Sequence, residues 1–381
     1  MMRRPERLTI ALAAGGTGGH MFPAEALART LTDRGHRVVL VTDRRGHSFG
    51  NAVPEAETFR IRAATVTPGV LGKLRSAAEL TAGYFQARRI LRTLRPDAVV
   101  GFGGYPSVPT VLAAAHQRIP VGLHEQNAVL GRANRLLAAK AELIATSFPG
   151  IAGMKPGLRS RILQTGNPVR PAVAEARRPY AVPAHDAPIH ILVLGGSQGA
   201  RIFSEVVPQA LARLGDLRAR LRVSQQCRPE DLDMASRAYE GTGVAVELSS
   251  FFQDVPERLA AAHLVVCRSG ASTVAELAIA GRPAILVPYP FATDDHQTAN
   301  ARALAVAGGG WLVPQQDLDP ASLARHLSDL FAQPDRLEQA AAAAARFGVA
   351  DAAARLADAV VRLAGADRGN GPSQSEREAA A

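Results

Sequence analysis

Cysteine is nearly absent from this chain: Cys227 and Cys267 are the only two in 381 residues. They lie forty positions apart with no cluster of Cys and His around either, which suggests neither a disulfide framework nor a zinc motif and suits two buried thiols in a reducing cytoplasm. No run approaches the ~18–20 consecutive apolar residues that a membrane span requires. The start, basic residues up to Arg7 followed by apolar Leu8–Ala14, imitates a secretory leader. That run is at the short limit for one and feeds directly into a glycine turn, so it reads as a strand. Aromatics make up only 5% of the chain and are not interleaved with the basic residues, so no nucleic-acid module is visible. A Walker lysine loop and a G-x-S-x-G elbow are missing as well.

What is present is one pattern used twice. An apolar run breaks into doubled glycine and a small hydroxyl at Gly15-Gly-Thr-Gly-Gly-His20, and again at Gly195-Gly-Ser-Gln-Gly199. Each reads as a buried strand turning into a helix, where missing side chains let a ligand approach N–H groups aligned with the helix dipole. Two such turns, with 47% hydrophobic and 20% charged residues, predict two nucleotide-type α/β domains facing one cleft. Charge is uneven: residues 1–166 carry 23 Lys and Arg against 10 Asp and Glu, a balance of +13, whereas residues 167–381 carry 21 against 24. The basic excess gathers in an apolar helical stretch at Lys73, Arg75, Arg88, Arg89, Arg92 and Arg95. It fits an anionic membrane surface, with a solvated helix face as the alternative.

Strand-like runs at 8–14, 37–42, 97–102, 119–123 and 142–146 alternate with helical stretches, including 24–34 and 84–94. The second half repeats this, with runs at 189–194, 244–248, 263–267 and 284–288 and helices near 201–214, 273–280 and 297–307. The alternation predicts parallel sheets covered on both faces. The breaker-rich segment between them sets the expected division: 1–166 an N-terminal domain, 167–188 a linker, 189–365 a C-terminal domain ending in one or two Ala-rich helices, and 366–381 a disordered tail.

Four constellations carry candidate chemistry. His20 stands at a helix start, where it can accept a proton or simply hold the turn. The first turn lacks the third glycine of the dinucleotide fingerprint, Met21 standing in its place, which argues against a nicotinamide site although Asp43 lies near the expected acid. Gly103-Gly-Tyr105 is another glycine-rich strand end. His124-Glu-Gln-Asn127 ends a strand, with Glu125 a second candidate base or a capping group, and Asn127 a hydrogen-bonding clamp. The fourth, Cys267-Arg-Ser-Gly-Ala-Ser-Thr-Val-Ala-Glu276, reads as strand, turn and helix, the helix starting near Ser272 or Thr273. Its amides suit a diphosphate without a metal, and Glu276 suits both hydroxyls of a ribose. Amides and acids at 294–300, Gln297 among them, suit sugar hydroxyls.

Read in order, these motifs, together with Gly166-Asn-Pro-Val-Arg170, closely resemble the MurG family of bacterial N-acetylglucosaminyltransferases over roughly residues 7–365. The resemblance implies a GT-B fold, two Rossmann-like domains around a cleft, at the cytoplasmic face of the inner membrane. It implies UDP-N-acetylglucosamine as donor and lipid I as acceptor, inversion at the anomeric carbon, no cofactor or metal, and other cell-wall synthesis proteins as further partners. Donor-binding positions implied by the match are Thr17, Gly18, Gly19, Asn127, Arg170, Ser197, the backbone near Phe252, the run Ala271, Ser272, Thr273, Val274, Ala275 and Glu276, and Gln297. Gly103, Gly104 and Tyr105 fall to the acceptor, and His20 precedes Glu125 as catalytic base. Three departures stand out: Ser272 where the family commonly has Leu, His296-Gln297 for paired glutamines, and Tyr105-Pro-Ser-Val108 in the acceptor loop. A UDP-sugar epimerase of related fold and a noncatalytic membrane-associated binder are the alternatives.

Overall fold

The computed structural model describes residues 7–15, 18–43, 56–64, 69–196 and 199–366. Thr17, Ser197 and the expected tail beyond residue 366 lie outside the described residues. The described residues form two compact units: those within 1–126, 130–168 and 351–366 make one, and those within 127–129 and 169–350 make the other.

The first unit is built on β1 (Thr9–Ala13), β2 (Arg37–Thr42), β3 (Glu57–Arg60), β4 (Ala98–Gly101), β5 (Val121–Glu125), β6 (Leu143–Thr146) and β7 (Ile162–Gln164). They pair in parallel in the order β3-β2-β1-β4-β5-β6-β7. The central strands β1, β2, β4 and β5 are buried along almost their whole length because helices cover both faces, which is why they read as continuous apolar runs. Their connections are α1 (Gly18–Asp33), α2 (Val70–Leu94), α3 (Ser107–His116) and α4 (Arg132–Leu137). α2 takes in both the stretch at 84–94 and the basic, apolar helical stretch from Lys73 onward that are expected from the sequence. It passes so close to Arg62 that a Cβ at Gly83 would stand 1.9 Å from the Arg62 carbonyl oxygen, so only glycine fits there.

The second unit opens with α5 (Pro171–Glu175) and continues through β8 (Ile189–Leu194), α6 (Arg201–Leu211), β9 (Leu221–Gln226), α7 (Leu232–Tyr239), β10 (Ala245–Ser249), α8 (Val255–Ala261) and β11 (Leu264–Cys267). It closes with α9 (Ala271–Ala280), β12 (Ala284–Leu286), α10 (His296–Val306), β13 (Gly310–Leu312), α11 (Pro320–Phe331) and α12 (Pro334–Phe347). Its parallel order, β10-β9-β8-β11-β12-β13, repeats the doubly wound pattern of the first. Strand order therefore reverses between β1 and β4 in one unit and between β8 and β11 in the other. Open α/β sheets keep their ligand crevices outside those strand ends.

Two boundaries differ from the sequence reading. Residues 178–180 are tied into the second unit: Arg282, 2% exposed, donates to the Arg178 carbonyl, and the Tyr180 hydroxyl donates to the His263 carbonyl. The Ala-rich C-terminal stretch forms two helices, and the second, α13 (Ala352–Ala366), belongs to the first unit instead of the expected 189–365 domain. Its Leu356, Ala357 and Val360 share a core with Ile10, Leu12, Leu27 and Leu31, and Arg34 meets Asp358 at 2.7 Å. Burying each such Leu or Val is worth about 1.5–3 kcal/mol, far more than the exposed ion pair. Apolar periodicity predicts the helix but not which sheet it covers.

Candidate active site

In the first unit, the turn after β1 delivers Gly18, Gly19 and His20 as the opening residues of α1. The loop from β4 to α3 comes alongside: a Cβ on Gly15 would lie 2.6 Å from Pro106 Cγ. Gly103 and Gly104 have φ of +84° and +72°, a region that side chains avoid, and positions for their absent Cβ atoms lie 3.3 and 3.4 Å from the His20 ring. This turn packs the loop backbone against the imidazole. Tyr105 follows, half-buried, and Ser107 Oγ donates to the Gly104 carbonyl at 2.8 Å to close the turn.

The end of β5 supplies the other side of His20. His20 Nδ1 and Gln126 Oε1 are 2.9 Å apart. Gln126 Nε2 lies 2.9 Å from His124 Nδ1 and donates to the His124 carbonyl at 3.0 Å, while His124 Nε2 meets the Gly166 carbonyl at 3.2 Å. His124 is fully buried against Phe102, and burial pushes its pKa down to about 4. Glu125, the second candidate base, is 2% exposed, and its Oε2 accepts from the Gly131 N–H at 2.9 Å and Asn134 Nδ2 at 2.8 Å. Those bonds hold the start of α4, the capping alternative raised from the sequence. Of the two candidates, His20 is the one packed beside Gly103 and Gly104.

Neutral His124 has a consequence for stability. The unfolded chain takes up this proton near pH 6.5 and the folded one only near 4, so folding stability falls as pH drops through that window. The full effect is on the order of 3 kcal/mol. Thermal midpoints measured from pH 7 to 4 are expected to fall less steeply for His124→Asn than for the unaltered chain; parallel slopes would refute this.

In the second unit, β11 ends in Cys267 and α9 begins at Ala271, one or two residues earlier than expected. Gly270 is the N-cap and has no side chain to cap the helix, so among the described residues no capping side chain meets the first-turn amides. Ser272 Oγ in that turn is buried and has no hydrogen-bond partner among the described residues. Arg268, 8% exposed, fixes the strand end by donating to the Val287 and Pro288 carbonyls and to Gln315 Oε1. Val274 is fully buried in the helix underside, beside half-buried Ala275.

Glu276, one turn further, is gripped by Arg170. The Arg170 Nε–H donates to Oε1 at 3.0 Å and NH2 donates to Oε2 at 3.2 Å, a two-pronged pair. Arg170 stands at the N-cap of α5, held extended by the Pro171 that follows. Burial raises the Glu276 pKa and the guanidinium opposes the rise.

Gln297 lies in the first turn of α10, its Oε1 accepting from the Tyr289 N–H at 2.9 Å and its carbonyl from Ser269 Oγ at 2.8 Å. His296 bonds the Thr293 carbonyl through Nδ1 at 2.7 Å instead. Asn300, fully buried one turn on, donates from Nδ2 to Asn127 Oδ1 and to the Ser269 carbonyl, both at 3.1 Å, and accepts from the Ala128 N–H. Asn127, Ser269 and Gln297 are thereby joined. The Phe252 ring is committed beneath the Arg258 guanidinium, 4.1 Å from its centroid. Among the described residues, no group of three or more His, Cys, Asp or Glu side chains is placed to hold a metal.

The sequence reading gave no individual role to Gln126 or Arg268, and placed Asn300 only among the amides and acids at 294–300 suited to sugar hydroxyls, where the structure shows it bonded within the protein. Gln126 left a signal as the polar residue after a strand that already ends in His and Glu.

Comparison with known proteins follows the two units. Residues 10–146 match the glycosyltransferase family 28 N-terminal domain, and residues 190–356 match the glycosyltransferase family 28 C-terminal domain. The chain is 59% identical over 373 residues to a UDP-N-acetylglucosamine–N-acetylmuramyl-(pentapeptide) pyrophosphoryl-undecaprenol N-acetylglucosamine transferase of Rhodospirillum centenum, covering 97% of this chain and 98% of the relative. The crystal structure of Acinetobacter baumannii MurG superposes with a TM-score of 0.77 at 29% identity, over 93% of this chain and 99% of that one. A UDP-GlcNAc 2-epimerase from Neisseria meningitidis, at 13% identity and a TM-score of 0.65 over 93% of this chain and 100% of that one, shares the fold alone. The fold is that of a GT-B protein with two Rossmann-like domains, and the chain belongs to glycosyltransferase family 28, within its MurG family of N-acetylglucosamine transferases.

Proposed function

We propose that the protein transfers N-acetylglucosamine from UDP-N-acetylglucosamine to lipid I, the undecaprenyl-diphospho-N-acetylmuramoyl-pentapeptide, forming lipid II with inversion at the anomeric carbon. The observation that carries this reading is the 59% identity along 98% of a relative whose name states the donated sugar and the acceptor. The site chemistry supports it. The open N-terminus of α9 and the Ser272 hydroxyl offer donors to the diphosphate, Glu276 offers acceptors to the ribose, and Gln297 and Asn127 offer amides to the sugar. As the glycosidic bond breaks, charge grows on the departing diphosphate, so aligned amides favour the transition state over the bound donor. Each bond to the charged group is worth about 1.5–3 kcal/mol. These donors do the work of a divalent ion in this reading. His20 takes the proton of the attacking hydroxyl.

For the membrane side, support comes from α2. Leu71, Leu74 and Phe85 are 83%, 62% and 60% exposed, and Lys73, Arg75, Arg88, Arg89, Arg92 and Arg95 are exposed with them. Among the described residues no helix is long and apolar enough to cross a membrane. Apolar anchors bordered by cations suit peripheral attachment to an anionic surface, here the cytoplasmic face of the inner membrane.

Purified protein given labelled UDP-N-acetylglucosamine and a lipid I analogue is expected to move label into the lipid, at a rate unchanged by EDTA. Label appearing in a different UDP-sugar would support an epimerase, and retention without turnover a binder. Activity abolished by EDTA and restored by magnesium would refute the metal-free mechanism.

A further inference from the structure

We propose that Gln126 and His124 are positioning residues that lock the His20 ring as its Nδ1–H tautomer, leaving the Nε2 lone pair for the incoming proton. The inference rests on the transfer reading for what His20 does, but the tautomer itself follows from the hydrogen bonds.

The chain of bonds runs in one direction because it starts at the Gly166 carbonyl and its Gln126 amide is oriented by the His124 carbonyl, and carbonyls only accept. The Gly166 carbonyl lies 3.2 Å from His124 Nε2, so Nε2 carries the hydrogen. A neutral imidazole has one N–H, which makes His124 Nδ1 an acceptor. Burial keeps this ring neutral at ordinary pH. Gln126 must then present its NH2 to His124 Nδ1, at 2.9 Å, and the same nitrogen donates to the His124 carbonyl at 3.0 Å. Turning the amide over would set its oxygen against that carbonyl and against the His124 lone pair, so one orientation is allowed. The Gln126 oxygen therefore faces His20 Nδ1 at 2.9 Å and requires a hydrogen there. The neutral His20 ring, with its N–H committed at Nδ1, has its free lone pair on Nε2.

In the reaction, the acceptor's O–H proton moves to His20 Nε2 as its oxygen bonds the anomeric carbon. The bond from that carbon to the diphosphate oxygen breaks and its electron pair leaves with UDP. His20 becomes an imidazolium without rotating, and its Nδ1–H bond to Gln126 turns charge-assisted. His124 does not compete for the proton, since burial disfavours its charged form. With the opposite tautomer, Nε2 would present a hydrogen to the attacking hydroxyl and the step would stall, the defect of a wrongly protonated histidine in a catalytic triad.

The test uses the full-length protein labelled with 15N-histidine, the His20 signals being identified by their loss in His20→Ala. Proton-coupled 15N spectra are expected to show His20 protonated at Nδ1 at neutral pH. In Gln126→Leu, nearly the same shape without an acceptor, the hydrogen should move to Nε2 and kcat fall roughly 10- to 100-fold with the donor KM unchanged. Gln126→Glu restores an oxygen opposite Nδ1 and should return the Nδ1–H signal, while its second oxygen, set against the His124 carbonyl and lone pair, leaves kcat only partly recovered. A wild-type His20 protonated at Nε2, or a Gln126→Leu variant that keeps Nδ1–H, overturns the proposal. If the tautomers behave as expected but His20→Ala retains full turnover, the positioning stands and the role of His20 as base falls.

Discussion

Replacing His20 by alanine is expected to lower kcat by roughly 10²- to 10⁴-fold while the KM for UDP-N-acetylglucosamine stays within about a factor of two. The size is that of a lost general base, about 2.7–5.5 kcal/mol of barrier. The constancy of KM follows from where most donor groups stand: the α9 amides, Ser272, Glu276 and Gln297 belong to the second unit, and Gly18 and Gly19 beside His20 offer only backbone, which the substitution keeps. The fold should survive, because the half-buried imidazole closes the start of α1 and is not part of the cluster formed by Ile10, Leu12 and Leu27. Steady-state transfer rates with both substrates varied, alongside circular dichroism, check the expectation. A variant that turns over at the wild-type rate would remove His20 from the chemistry. The geometry gives Glu125 a poorer claim to the same task, since its carboxylate already anchors Gly131 and Asn134.

How much of the fold was legible depended on how each strand is buried. β1, β2, β4, β5, β8 and β11 sit inside their sheets, and their apolar runs announced them. β3 (Glu-Thr-Phe-Arg) and β7 (Ile-Leu-Gln) are edge strands of mixed polarity, with one neighbour each, and neither was expected. β9 was missed for another reason: Leu221-Arg-Val-Ser-Gln-Gln226 alternates buried with exposed or half-exposed residues, so no continuous run marks it. β13, three residues at an edge of the second sheet, begins at Gly310 directly after Gly308 and Gly309, too short and glycine-flanked to form an apolar run. α13 shows the limit of local pattern, since its amphipathic spacing is visible while its return to the first sheet depends on packing far away in sequence.

The candidate site was legible where chemistry is local. Strand, glycine turn and helix follow one another within ten residues at Cys267–Glu276, so the open helix terminus could be read directly, one or two residues out of register. His20 and Gly103-Gly104 were recognised separately; their contact depends on β1 and β4 being neighbours, a fact of strand order. The Arg170 grip on Glu276 spans 106 residues, and the bond from Asn300 to Asn127 spans 173. No spacing rule reaches that far. Gln126 was overlooked because it lies between two residues of more obvious chemistry, and its role emerges only from the direction of its hydrogen bonds.

The pair formed by Arg170 and Glu276 gives the second large effect. Glu276→Ala is expected to reduce kcat/KM for the donor roughly 10²- to 10³-fold, mainly through KM. A carboxylate has about four acceptor positions, and the Arg170 fork takes two, leaving two for the vicinal hydroxyls of a ribose. Two bonds to a charged acceptor, at about 1.5–3 kcal/mol each, account for that loss. Stability should suffer less, because Arg170 is 37% exposed and water can take over its charge. Arg170→Ala tests the other half of the pair. Burial already raises the Glu276 pKa, and without the guanidinium that opposes it the carboxyl holds its proton to a still higher pH. A protonated carboxyl has surrendered acceptor capacity, so donor affinity in Arg170→Ala should weaken as pH falls and recover as it rises, whereas Glu276→Ala should be uniformly weak across the same range. Calorimetric titration of UDP between pH 6 and 9 distinguishes the two. Wild-type affinity in Glu276→Ala would reduce the carboxylate to a structural partner of Arg170 and detach the ribose from it.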